Sequence, residues 1–281
     1  MSAAAAPADA AALCADAVRS ADFPAYAATL FTTPEKRRAL LALHAFADEL
    51  ARVRDHVSQP LPGEIRLQWW VDALAGLEHG GVEGHPVAAE LKRAIATFDL
   101  PAGELTRMVE AWRVDLYNEP VSDLAALETF LGDTSCVLVG LAARICSPRA
   151  DVPAGLVRHA GLALGLTQVI IALPREAARG RLYLPRDLLD LNGAAAEEML
   201  AGRTTPGLRT VVAYLASEAE RHLAGVGAPA AELRPALLPL ALARKTLARV
   251  RQVEFDPFRL AAVSRLSVLW TYWRAGRSGS F

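Results

Sequence analysis

The sequence predicts an all-α fold. Three observations carry this. Alternation of apolar and polar residues at period two is nearly absent. Ala, Leu, Arg and Glu, good or fair helix formers, recur at helical spacing. Prolines open several of these runs, at Pro34, Pro101, Pro153 and Pro257.

The elements follow in order, with ends fixed to a few residues. An Ala-rich run predicts a helix over 8–19, and a second over 22–31. Thr33-Pro34 reads as an N-cap followed by a helix start, opening 34–56. A helix over 62–79 runs into a loop at Gly80, Gly81 and Gly84. The next runs are 85–97, 101–117 (opened by Pro101) and 123–147. Pro153 opens 153–177, which holds the longest apolar run, the 14 residues Ala160–Leu173. That run is too short to span a bilayer and suits a buried helix. Short helices are expected at 185–191 and 194–201, with Gly193 as the stop between them. Runs at 206–226, 229–252 and 257–275 complete the chain, the last opened by Pro257. There is no internal repeat and no linker rich enough to divide the chain. An N-terminal extension over 1–19 followed by one helical domain over 20–281 is the simplest organisation.

The composition narrows the function classes. A chain of 281 residues with 53% hydrophobic content has ample apolar surface for a core. Its net charge of −1 lacks the basic footprint of a nucleic-acid binder. Cys14, Cys136 and Cys146 have neither metal nor redox spacing and read as reduced, partly buried thiols of a cytoplasmic protein. The N-terminus carries Asp9 and Asp16 and no basic start, unlike a secretory signal. Arg158, His159 and Arg175 flank the long apolar run, so a peripheral membrane contact stays open.

Residues 166–185, LTQVIIALPREAARGRLYLP, carry the main motif. They resemble the second signature of the squalene/phytoene synthase family, roughly L-T-N-x-x-R-D-x-x-x-D-x-x-R-G-R-x-Y-L-P. Leu166, Thr167, Arg179, Gly180, Arg181, Tyr183, Leu184 and Pro185 match. Residues 34–55 resemble the first signature, R-x-x-x-x-A-L-Y-A-F-C-R-x-x-D-D-x-x-D, through Ala42, Leu43, Ala45 and Phe46. The resemblance implies an isoprenoid-synthase-type helical bundle around a central cavity. It also implies two helices whose paired aspartates hold Mg²⁺ against a prenyl diphosphate. Carboxylates four residues apart share one helix face, and the ions neutralise the leaving diphosphate. Here the aspartates fall on Ala51 and Asp55 in the first signature, and on Ala172 and Glu176 in the second. Asp55 and Glu176 are the residual metal-ligand candidates.

The same segments offer other readings. Asp48, Arg52 and Asp55 lie three and four residues apart, and Arg52 can bridge both aspartates. Arg175 and Arg179 flank Glu176 similarly. A guanidinium would then stand where a metal stands in the synthases, or the row is a solvated set of ion pairs worth little stability. Asp48 with Asp55 as an altered metal pair requires one ion to bridge about 10 Å of helix rise. Arg179, Gly180, Arg181 and Tyr183 resemble a diphosphate-facing turn, because arginine contacts phosphate bidentately and glycine admits close backbone approach. Basic residues at a helix C-terminus, favoured by the macrodipole, give the same pattern. The candidate diphosphate or cavity residues are therefore Asp48, Arg52, Arg175, Arg179, Arg181 and Tyr183.

Further segments resemble the branch of the family that contains a mitochondrial complex I assembly factor. They are Asp22–Tyr26, Ala45–Asp55, Arg66–Trp70, His85–Ala88, Leu127-Glu128 and Val253–Phe258. Together the matches cover roughly 20–275. Other residues read as structural. Trp69, Trp70 and Trp112 are core anchors, His44 packs, and His159 is a satisfied core histidine. Glu110 and Asp115 lie on different helix faces. Gly161 and Gly165 permit close helix packing. Trp270, Tyr272 and Trp273, near Arg265 and Arg274, belong to a docked terminal helix or touch a membrane or partner.

Two functions remain. One is a non-catalytic or diverged member that assists complex I assembly, peripheral at the inner membrane, with a prenyl diphosphate or lipid as a retained ligand. The other is a Mg²⁺-dependent prenyltransferase joining two prenyl diphosphates head to head. Loss of one carboxylate from each metal helix weakens Mg²⁺ binding by several kcal/mol, which favours the first.

Overall fold

The computed structural model describes residues 7–77, 84–148, 151–252, 255–260 and 263–278. Among the described residues there are helices and no strands. In chain order they are α1 (Pro7–Ala21), α2 (Phe23–Thr29), α3 (Pro34–Arg52), α4 (Pro60–Leu74), α5 (Pro86–Phe98), α6 (Ala102–Asp115), α7 (Leu124–Leu131) and α8 (Val137–Cys146). There follow α9 (Ala154–Ala178), α10 (Arg186–Leu191), α11 (Ala196–Leu200), α12 (Pro206–Gly225), α13 (Arg234–Leu237), α14 (Pro239–Val250) and α15 (Arg265–Ser278). The loop expected at Gly80 and Gly81, and Val253-Glu254 of the late motif, lie outside the described residues, as do the first six of the extension.

Several boundaries correct the sequence reading. The helix expected over 34–56 ends at Arg52, and Val53–His56 is a 3₁₀ turn. The helix expected over 62–79 ends at Leu74, and Gly76 adopts φ 73° just beyond. The run over 229–252 breaks into a 3₁₀ turn (Ala231–Leu233), α13 and α14, because Pro235 and Pro239 remove two backbone donors. Pro257 opens a 3₁₀ turn, and the terminal helix begins only at Arg265. Between α7 and α8 the chain makes a π-helical turn, Gly132–Cys136.

The described contacts gather into two compact units, interleaved along the chain. The first takes residues up to Tyr117, then Val137–Val152 and Ala230–Ala236. At its centre α3 packs against α1, α5 and α8. Its middle is buried almost all round (Leu40, Leu41, Leu43, Phe46), as expected of a helix covered on every side. Trp70 of α4 meets the Phe46 ring edge-on at 4.8 Å, anchoring the core as expected, while Trp69 and Trp112 are half-buried. Arg38 holds the buried Glu90 with two bonds of 2.5 and 2.6 Å, joining α3 to α5. Lys36 Nζ donates to the Cys146 carbonyl at 2.6 Å, a cation at the C-terminus of α8.

The second unit takes Asn118–Cys136, Pro153–Pro229 and the chain from Leu237 onward. Here α9 is central and packs on α12, α14, α7 and the π-helical turn. The expectation for its glycines holds. A Cβ on Gly161 would lie 2.4 Å from Cys136 Cα, and one on Gly165 would lie 2.7 Å from Leu131 Cδ2. His159 is a satisfied histidine, its Nδ1 3.0 Å from that of the buried His222. The helices Leu124–Cys146 and Ala154–Ala178 are long and apolar enough to cross a bilayer by length and composition, and both carry core residues.

Candidate functional site

In the first unit the candidate residues gather at the C-terminal end of α3. Arg52 Nη2 pairs with Asp48 Oδ2 at 3.2 Å, the i,i+4 contact expected. The helix stops there, so helical spacing no longer carries Asp55 onto the same face. Asp55 sits exposed on the 3₁₀ turn. His56 Nδ1 closes the turn by donating to the Arg52 carbonyl at 2.8 Å. Arg54 reaches Asp115 at 3.6 Å, and Glu110 pairs instead with Arg113 at 2.6 Å, so the two α6 acids have different partners. Ala51, half-buried, offers a methyl where the resemblance expects a carboxylate.

One pair here escaped the sequence reading. Glu49 Oε2 stands 3.5 Å from His85 Nε2. Burial, then Asp48, pushes the Glu49 carboxyl up to about 7 against the lowering effect of Arg66 and His56. His85 begins α5, its Nδ1 accepting from the Ala88 N–H at 3.4 Å, and its ring lies 5.0 Å from Trp69 and 5.4 Å from Trp70. Burial, with Arg66, holds its imidazole below the usual range. Both residues fall in segments that the sequence singles out, but no spacing rule links positions 49 and 85.

In the second unit the candidates converge on Glu176. Its side chain is buried, and three guanidinium groups surround it. Arg175 Nε lies at 2.7 Å, Arg181 Nε at 3.1 Å and Arg179 Nη1 at 3.6 Å. The local sequence explains this geometry. Gly180 takes φ 73°, its N–H bonds the Ala177 carbonyl, and the Arg181 N–H bonds the Glu176 carbonyl. This Schellman closure of α9 folds Arg181 back beneath Glu176, where it is itself buried. Gly180 is therefore required for its positive φ, which is a helix-end role. Tyr183 stacks on Phe130 at 6.3 Å. Ala172, one turn before Glu176, is buried and supplies no ligand atom.

The residues do not fit the Mg²⁺ site that the resemblance implies. Guanidinium groups already neutralise the one carboxylate kept at the second signature, and both leading positions are alanine. Three arginines on one glutamate leave an excess of positive charge, suited to an anion rather than a cation. Among the described residues, another carboxylate–histidine group is Glu128, Glu218 and His222, with ligand atoms within 4.8 Å of one another. There too a guanidinium enters the group. Arg221 bonds Glu218 and lies 3.4 Å from His222 Nε2 and 4.0 Å from Glu128. Sequence reasoning missed this cluster, which joins α7 to α12.

The all-helical arrangement is that of the isoprenoid synthases. A dehydrosqualene synthase crystal structure superposes with a TM-score of 0.80 over 97% of this chain and 98% of its own, at 17% identity. The family model for squalene/phytoene synthase matches residues 18–274, and the chain belongs to that family. Among its relatives, complex I assembly factor 6 of Rattus norvegicus is 29% identical over 250 residues, covering 87% of this chain and 75% of the relative. The chloroplastic phytoene synthase 2 of Solanum lycopersicum is 27% identical over 269 residues, covering 88% and 83%.

Proposed function

We propose that this chain is a diverged, non-catalytic member of the family that acts in the assembly of respiratory complex I. Its partners would be complex I subunits, and its location the cytoplasmic side of the inner membrane, as a peripheral protein. The observation that carries the reading is the pair of alanines, Ala51 and Ala172, together with the arginine-neutralised Glu176. Several relatives described as complex I assembly factor 6, each aligned over most of this chain, support it. The surplus charge of Arg175, Arg179 and Arg181 supports a second, compatible element: an anionic prenyl or lipid headgroup held without metal.

Calorimetry with a non-hydrolysable farnesyl diphosphate analogue, with and without Mg²⁺, tests this reading. Binding of the analogue, at whatever strength, is expected to be indifferent to Mg²⁺. Tight binding that requires Mg²⁺ would return the chain to the prenyltransferases.

A further inference from the structure

The terminal helix α15 is apolar on two opposite faces. Val268, Tyr272 and Ala275 form one stripe, buried in the unit where α15 packs on α14. Lys245 Nζ of α14 donates to Ser267 Oγ at 2.8 Å and ties the two together. The other stripe is Leu266, Trp270 and Trp273, followed by Arg277. At 100° per residue these four positions fall within a narrow sector, roughly opposite the buried stripe. Leu266 is 79% exposed, Trp270 62% and Trp273 46%. The two indoles stack at 5.0 Å, and the Arg277 guanidinium lies 5.1 Å over the Trp273 ring. Arg265 and Arg274 flank the stripe on either side, and both are exposed.

The charge of this helix and of the chain leading into it is one-sided. The helix carries three arginines and no acid. From Pro239 to the end of the sequence there are eight basic residues and two acidic ones, with Arg251 paired to Glu220 and Arg259 to Asp256. Two exposed tryptophans and a leucine framed by arginines match the chemistry of a headgroup layer. Indole is favoured at the boundary between hydrocarbon and water, and arginine pairs with anionic phosphate there.

We propose that the outer face of α15 docks this protein on an anionic lipid surface, with Leu266, Trp270 and Trp273 entering the interface and Arg265, Arg274 and Arg277 holding headgroup phosphates. The inference goes beyond the assembly reading and does not depend on it, and its test uses neither prenyl ligand nor complex I.

The test is co-sedimentation of the full chain with phosphatidylcholine vesicles and with phosphatidylcholine–cardiolipin vesicles. The wild type is expected to bind the cardiolipin vesicles selectively and to be released by salt. Trp270→Ala with Trp273→Ala is expected to lose binding tenfold or more. Arg274→Gln with Arg277→Gln is expected to lose about thirtyfold, the combined worth of two basic residues at a charged surface. Melting curves of both double variants should overlay the wild type, because the altered side chains are exposed. A wild type that ignores cardiolipin vesicles overturns the proposal, as does a folded tryptophan variant that binds them unchanged. Loss of a protein partner by that variant, with vesicle binding intact, also overturns it and makes the face a protein interface.

Discussion

At Glu49 the dominant influence is removal from water, and the local charges only modulate it. A carboxyl titrating near 7 in the folded chain, against an ordinary value of 4.5, is favoured by the fold in its protonated form. Its stabilising contribution is therefore complete below pH 4.5 and lost as pH rises through 7. Glu49→Gln keeps the shape and removes the titration. Near pH 5 the variant should melt with the wild type. At pH 8 it should be more stable by about 1 kcal/mol, a figure reduced from full linkage because a third of the side chain meets solvent. Denaturant unfolding at the two pH values reads this directly, and a wild type that gains on the variant toward pH 8 would refute the assignment. The buried thiols follow the same rule, with Cys14 pushed up to about 12 and Cys136 and Cys146 to about 11. Their spacing made those thiols readable from sequence as reduced and partly buried, and all three are free and buried. Spacing left Glu49 unread, because its state depends on burial and on the nearness of Arg66, both set by the fold.

Among the elements, α9 shows most plainly how small residues permit close packing. Gly161 faces the backbone of Cys136, whereas Gly165 faces the ends of the Leu131 and Ser135 side chains. Backbone cannot rotate away, and side-chain tips can. Gly161→Ala should therefore cost about 3 kcal/mol or more, and Gly165→Ala about 1 kcal/mol, in denaturant unfolding. Equal costs would show that the π-helical turn yields as easily as a leucine. The helices themselves were readable because the apolar period is helical and prolines mark many of their starts. The departures have local causes. Pro235 and Pro239 interrupt an apolar pattern that otherwise runs on, and Arg52 ends α3 where the charge pattern continues to Asp55. The π-helical turn at 132–136 keeps the chain helical between α7 and α8, so a helix expected over 123–147 does not reveal it.

For the molecule as a whole, the two signatures identified the family, and what they lack guided the reading of function. The losses at Ala51 and Ala172 were visible in the sequence. The closing of Glu176 by Arg181 was not, because it arises from the turn at Gly180 rather than from residue spacing. Incubation with farnesyl or geranylgeranyl diphosphate and Mg²⁺ should give condensation at least about three orders of magnitude slower than an active relative assayed alongside, the rate equivalent of roughly 4 kcal/mol of lost transition-state stabilisation. Turnover within tenfold of that relative would mean that Asp55, Glu176 and the arginines suffice.

The interleaving of the two units also bears on how the chain is made. The first unit closes only with Ala230–Ala236, more than a hundred residues after its opening stretch ends at Tyr117. At ribosomal speeds of 5–20 residues per second, roughly ten seconds separate the emergence of those parts. During that interval Leu141 and Ile145 of α8, which complete the cover over α3, arrive before the final segment does. Until α8 emerges, the nascent chain leaves the apolar surface of α3 uncovered, the kind of surface chaperones bind, and slowing translation between residues 117 and 146 would lengthen that exposure.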